Sequence, residues 1–137
     1  MTITKKDRYY AAGLVDGEGT ITLVRQSRLQ MKSPAISVST TSYELVDFMK
    51  KTFGGYIVKL KAPAKKHWKQ AWHWQTSHDK AIAIIKSVAP FLREEKKKAR
   101  AQLILEEYKK VTPRNGFYTE ELLTARADFE NRFFSLG

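Results

Sequence analysis

The chain is 137 residues long, 42% apolar and 28% charged, the proportions of a folded globular protein that a single domain over residues 1–137 accommodates. It has no cysteine, which excludes a disulfide framework and any thiolate metal site. It also has no apolar run long enough for a membrane span or a signal peptide, so a soluble, intracellular protein without a membrane partner is expected.

Its 25 basic residues outnumber 14 acidic ones for a formal net charge of +11, which predicts a polyanionic partner, nucleic acid before an acidic membrane surface. In chain order, Thr4 and Asp7 have the spacing of a capping box. They predict a helix that opens at Lys5 and runs toward Val15, with the glycines at 17 and 19 ending it. From Thr20 to Lys32 the pattern first alternates, Ile21 and Leu23 on one face and Thr22, Val24, Gln26 and Arg28 on the other. Period two means a strand with one covered face. After a turn at Ser33 and Pro34, Ile36 and Val38 alternate with Ser37 and Ser39, a second strand that completes a hairpin. Leu45, Phe48, Met49 and Phe53 then return at helical spacing, up to a stop at Gly54. A second strand pair follows, with Lys59 and Lys61 on one face of its first strand, a basic turn at 62–66, and a fourth strand within 67–76. In that strand Trp68, Trp72 and Trp74 share the parity read as core, and Lys69, His73 and Gln75 take the other. An apolar helix from His78 breaks near Pro90, a longer basic helix runs from Arg93 to a turn signal at 112–116, and an amphipathic helix runs from Thr119 toward Phe134.

The order α-β-β-α-β-β-α-α-α defines an α+β fold, a four-stranded antiparallel sheet with helices on one face. The other face collects amides, hydroxyls and bases with no acid among them, although the chain has 14 acids to place. Arg, Lys and Gln on a sheet or ribbon complement base edges in a DNA major groove. The candidate DNA-binding residues are therefore Thr22, Val24, Gln26 and Arg28 on the first strand, Ser37 and Ser39 on the second, Lys59 and Lys61 on the third, and Lys69, His73 and Gln75 on the fourth. Nothing points to a small-molecule substrate.

The stretch from Ala11 to Gly19 reads AAGLVDGEG. Carboxylates at a helix C-terminus meet the negative pole of the macrodipole, at a cost of a few tenths to about 1 kcal/mol, so stability does not account for Asp16 and Glu18. A hard divalent cation reverses that sign, because it draws on carboxylate and backbone carbonyl oxygens together. Ala11, Ala12, Gly13 and Gly17 leave one helix face nearly bare. Mid-helix glycine costs about 1 kcal/mol relative to alanine, and a bare face suits the close approach of another backbone. If that backbone is the same helix of a second copy, two Glu18 carboxylates lie side by side and require a cation.

The stretch resembles the LAGLIDADG motif of homing endonucleases. The helix-then-hairpin order, the FGG after the second helix and the PFL entering a basic helix are similar to the single-motif members over roughly residues 5–110. The resemblance implies a homodimer whose motif helices meet at Ala11, Ala12, Gly13, Asp16 and Gly17, with a sheet from each copy straddling double-stranded DNA. It implies a Mg2+-dependent double-strand break in a long, near-palindromic target, with Mn2+ as a substitute and Ca2+ as a non-productive occupant, and a mobile intron as host. Residue by residue it makes Glu18 the catalytic metal ligand, with the Gly17 carbonyl beside it, and gives Asp16 a structural role. Thr40 is the nearest match to a family glutamine at the end of the second strand. The family's catalytic lysine falls on Lys96 or Lys97, the run EEKKKARA leaving both registers open. The alternative on the same scaffold is a DNA-binding regulator or RNA maturase that does not cut. A small RNA-associated β-sheet protein is a further reading, and it predicts a monomer.

Overall fold

A computed structural model of the chain describes residues 3–25, 27–61 and 69–137. Gln26, Trp68 and the basic turn expected at 62–66 lie outside the described residues. The elements are α1 (Lys5–Glu18), β1 (Gly19–Val24), β2 (Ser33–Thr40), α2 (Tyr43–Phe53), β3 (Tyr56–Lys59), β4 (Trp72–Ser77), α3 (His78–Val88), α4 (Glu95–Glu107) and α5 (Glu120–Ser135). The strands form one sheet in the order β1-β2-β4-β3, antiparallel throughout. Ile21, Leu23, Ile36, Val38 and Trp74 point from the sheet into a core shared with all five α-helices, and the opposite face is open. This is the α+β architecture that the hydrophobic periods predict.

Local chemistry sets the boundaries. The Thr4 hydroxyl accepts from the Asp7 N–H at 3.1 Å, and Thr119 does the same for Leu122 at the start of α5. Ser33 and Pro34 belong to β2 rather than to a turn, and β1 ends at Val24, well short of Lys32. Pro34 stands opposite Leu23 in the β1–β2 ladder and before the start of the β2–β4 ladder at Ala35, so no bond of the second ladder needs its missing N–H. Gly54 and Gly55 stop α2 with φ of +83° and +89°, and the Trp74 indole N–H donates to the Gly54 carbonyl at 2.7 Å. Trp74 is fully buried, as expected of a core tryptophan, and Trp72 is half-buried against Tyr43.

Two arginines bind the helical layer to the sheet. Arg100 of α4 donates to the Ile21 carbonyl at 2.9 Å. Arg126 of α5, 1% exposed, pairs with Glu130 at 3.0 Å and donates to the Tyr118 hydroxyl, the Thr112 hydroxyl and the Lys32 carbonyl. The Lys32 ammonium lies 4.6 Å from the Phe134 ring centroid, so α5 holds the end of the β1–β2 connection by both backbone and side chain. Among the described residues, no helix is long and apolar enough to cross a membrane.

Candidate functional site

The helix α1 does not stop at Val15; it continues through Gly17 and ends at Glu18. Gly19 is the stop. A Cβ there would stand 2.7 Å from the Val15 Cα and 2.9 Å from the Val15 carbonyl oxygen, so only glycine lets the chain cross directly from helix into β1. Asp16 and Glu18 accordingly sit in the last helical turn, at the negative end of the dipole.

At about 100° per residue, Ala11, Ala12, Leu14 and Val15 share the side of α1 that is buried in the core. Ala11 and Ala12 are 0% and 1% exposed within one chain, which corrects their expected place on a seam between copies: the periodicity turns them inward. Gly13 and Gly17 face outward, and nothing lies within 4 Å of a Cβ built on either. Two aromatic pairs wall this bare strip, Tyr9 against Phe91 at 4.5 Å and Tyr10 against Phe48 at 4.8 Å. A cleft of about 600 Å³ opens beside it, bordered by Gly13, Asp16, Phe91 and Arg93.

Asp16 turns to the loop before α4. Its Oδ2 accepts from the Arg93 N–H at 2.9 Å and its Oδ1 from the Glu94 N–H at 3.2 Å. Glu94 in turn caps α4, accepting from the N–H groups of Lys96 and Lys97. This relay brings the Lys97 ammonium to the Asp16 carbonyl oxygen at 2.6 Å. Lys96 turns the other way, toward Gly137. Of the two candidate lysines, Lys97 is the one that reaches the end of α1. Glu18 is exposed and makes no hydrogen bond or ion pair among the described residues. Those residues include no cluster of three or more His, Cys, Asp and Glu able to hold a metal. At the end of α1 one chain thus presents the Glu18 carboxylate with the Gly17 carbonyl one residue before it. The Thr40 hydroxyl accepts from the Ser42 N–H at 3.1 Å, a turn that leads into α2, and Thr40 lies on the parity of Ile36 and Val38, away from the open face.

The open face carries Thr22 and Val24 from β1, Ser37 and Ser39 from β2, and His73 and Gln75 from β4, as expected. Thr20, exposed and opposite Ser37, joins them; it follows from the same alternation one step earlier. Lys59 does not. It pairs with Trp72, on the parity of the buried Trp74, and its ammonium lies 5.8 Å from the Trp72 ring centroid. The side chains that β3 sends to the open face are Tyr56 and Val58. Lys61 and Lys69 are exposed but lie beyond the ends of β3 and β4, and Arg28 is exposed in the β1–β2 turn.

No family model matches the sequence, and no curated protein is similar to it at a significant level. The architecture is that of the LAGLIDADG homing endonucleases, with one copy of the motif helix and its four-stranded sheet. The homing endonuclease I-CvuI, solved with the I-CreI target in the presence of magnesium and with the DNA not cleaved, superposes at a TM-score of 0.73 with 19% identity, over 97% of this chain and 83% of that one. The homing endonuclease I-TnaI follows at 0.64 and 16%, over 98% of this chain and 95% of its own. The LAGLIDADG homing endonuclease I-GzeII, in complex with its DNA target, gives 0.63 and 16%, with 98% of this chain on 44% of that one. At these identities the likeness is one of fold.

Proposed function

We propose that two copies of this chain form a homodimer that makes a site-specific, Mg2+-dependent double-strand break in a long, near-palindromic DNA target. The observation that carries this reading is the bare strip of α1, open at Gly13 and Gly17 and ending at Glu18, which has no partner among the described residues. Gly13, in the helix interior, costs about 1 kcal/mol relative to alanine, and Gly17, in the last turn, costs less; close approach of a second α1 offsets that cost. I-GzeII supports the pairing, since the aligned unit fills under half of its chain and leaves room for a second. The DNA complexes of I-CvuI and I-GzeII support the substrate class.

A two-fold axis along the strip brings the two Glu18 carboxylates together, where like charge and the helix dipoles both favour a hard cation. Each chain contributes Glu18 and the Gly17 carbonyl as oxygen donors. When bound, Mg2+ supplies an activated water and charge stabilisation at the scissile phosphate. Asp16 holds the α4 loop against the end of α1. Lys97, placed by that contact, directs positive charge toward the phosphate as negative charge builds on its oxygens. The open sheet faces engage the grooves on either side, and a pair of chains doubles the +11 excess that draws in the duplex.

The test is Glu18→Gln, assayed on a plasmid library with magnesium and by gel shift with calcium. The variant keeps DNA binding and loses cleavage of both strands. Double-strand cutting by the variant would refute the assignment, and a wild-type protein that binds DNA without ever cutting would establish a regulator on this scaffold.

A further inference from the structure

One part of the open face carries no charge. Tyr56 and Val58 of β3 are 49% and 43% exposed, and they stand opposite Gln75 and His73 in the β3–β4 ladder. Cross-strand neighbours lie roughly 5 Å apart at Cβ, so each polar group of β4 has an apolar side chain beside it.

The polar partner is oriented. Gln75 Oε1 lies 3.0 Å from His73 Nε2, and His73 Nδ1 lies 2.6 Å from the Ser39 hydroxyl. A carboxamide oxygen only accepts, so Nε2 carries the proton, and in the neutral ring Nδ1 accepts from the Ser39 O–H. With its oxygen engaged by the imidazole, the Gln75 amide keeps N–H donors that have no hydrogen-bond partner among the described residues. The β3–β4 ribbon thus offers a hydrogen-bond donor flanked by apolar surface.

Base edges in the major groove answer that arrangement unequally. Guanine shows two acceptors and no methyl group, adenine an acceptor with a donor, and cytosine a donor. Thymine alone shows an acceptor, O4, beside a methyl group. We infer, resting on the DNA-cleaving reading above, that the β3–β4 ribbon reads thymine, with the Gln75 amide donating to O4 and Tyr56 and Val58 covering the 5-methyl group.

The test begins with duplexes selected from a randomised library by the whole chain, in calcium without magnesium. Each thymine of the selected half-site is then replaced singly by deoxyuridine, which removes the methyl group and leaves O4 and the backbone in place. At one or two positions per half-site the replacement weakens binding roughly fourfold, the effect of one buried methyl-sized group. In Val58→Ser or Tyr56→Ser that particular discrimination disappears while other positions keep theirs. A purely structural role would weaken thymine and uracil duplexes alike. Selected half-sites without thymine, or uracil tolerated at every position, overturn the inference while leaving the endonuclease reading intact. Binding with no sequence preference at all overturns both.

Discussion

Replacing Gly13 and Gly17 by alanine has opposite consequences for one chain and for a pair. Within one chain no described neighbour lies within 4 Å of the added methyl groups, so Gly13→Ala in the helix interior gains about 1 kcal/mol of helix propensity and Gly17→Ala in the last turn gains less. The double variant is then more stable by about 1–2 kcal/mol, a rise of roughly 3–10 °C in melting temperature for a domain of this size. In a pair the same methyl groups face a second backbone across the strip between the Tyr9–Phe91 and Tyr10–Phe48 pairs. Overpacking of a close contact costs roughly 1–3 kcal/mol, which weakens association by about tenfold or more. Urea denaturation at low protein concentration reads the first effect. Sedimentation equilibrium and plasmid cleavage read the second. A double variant that is more stable yet pairs and cuts as well as wild type would refute the reasoning, because the strip would then face solvent in the working protein.

Lys97→Met loses roughly 100-fold or more in single-turnover cleavage, the scale of one preorganised electrostatic contact, whereas Lys96→Met is close to wild type; the reverse ranking would show that the Asp16 carbonyl contact does not mark the working lysine. Arg126→Ala strands the Glu130 carboxylate and the acceptors around it and lowers unfolding free energy by about 3–5 kcal/mol, a loss visible in urea midpoints, and a drop under 1 kcal/mol would mean that water replaces the guanidinium. The bidentate Arg132 partner, through hydrogen bonds at 2.6 and 2.7 Å, holds the Glu107 carboxyl below its ordinary range. That stabilisation is present above the unfolded value near pH 4.3 and fades as pH falls through the lower folded value. Urea midpoints of wild type and Glu107→Gln therefore differ slightly at pH 6 and converge below pH 4, and a gap of constant size across that range counts against the linkage.

The elements that sequence made legible are those in which one residue type does one thing. Ile21, Leu23, Ile36 and Val38 alternate cleanly, and Thr4 and Thr119 each have a residue three positions on whose N–H they bind or bracket. The errors came where a residue has two uses. Glycine both ends helices and permits close approach. Gly17, read as a stop, is helical and open, and Gly19, two residues on, is the junction that no side chain fits. Sequence gives the parity within β3 but not its face: only pairing with β4 shows that Lys59 lies over Trp72 while Tyr56 and Val58 face outward. Alternation fixes which residues share a side and leaves open which side that is. The lysine register was beyond reach for a different reason. Three consecutive lysines are chemically alike, and a contact across 81 positions, from Lys97 to Asp16, separates them.

That contact gives the motif acids distinct duties. Both sit where the dipole penalises negative charge. Asp16 recovers the loss within its own chain by accepting two backbone N–H groups from the α4 loop. Glu18 has no such partner among the described residues. One acid is thus satisfied within the chain while its neighbour two residues away has no partner among the described residues, the division of labour that the proposed function requires. Three sides of α1 then have three partners: Ala11, Ala12, Leu14 and Val15 the core, Asp16 the loop that positions Lys97, and Gly13 with Gly17 the strip proposed for a second copy. Glu18, beyond all three, has no partner among the described residues, and in the proposed dimer a cation shared across the two-fold axis would meet that need with the oxygens at hand.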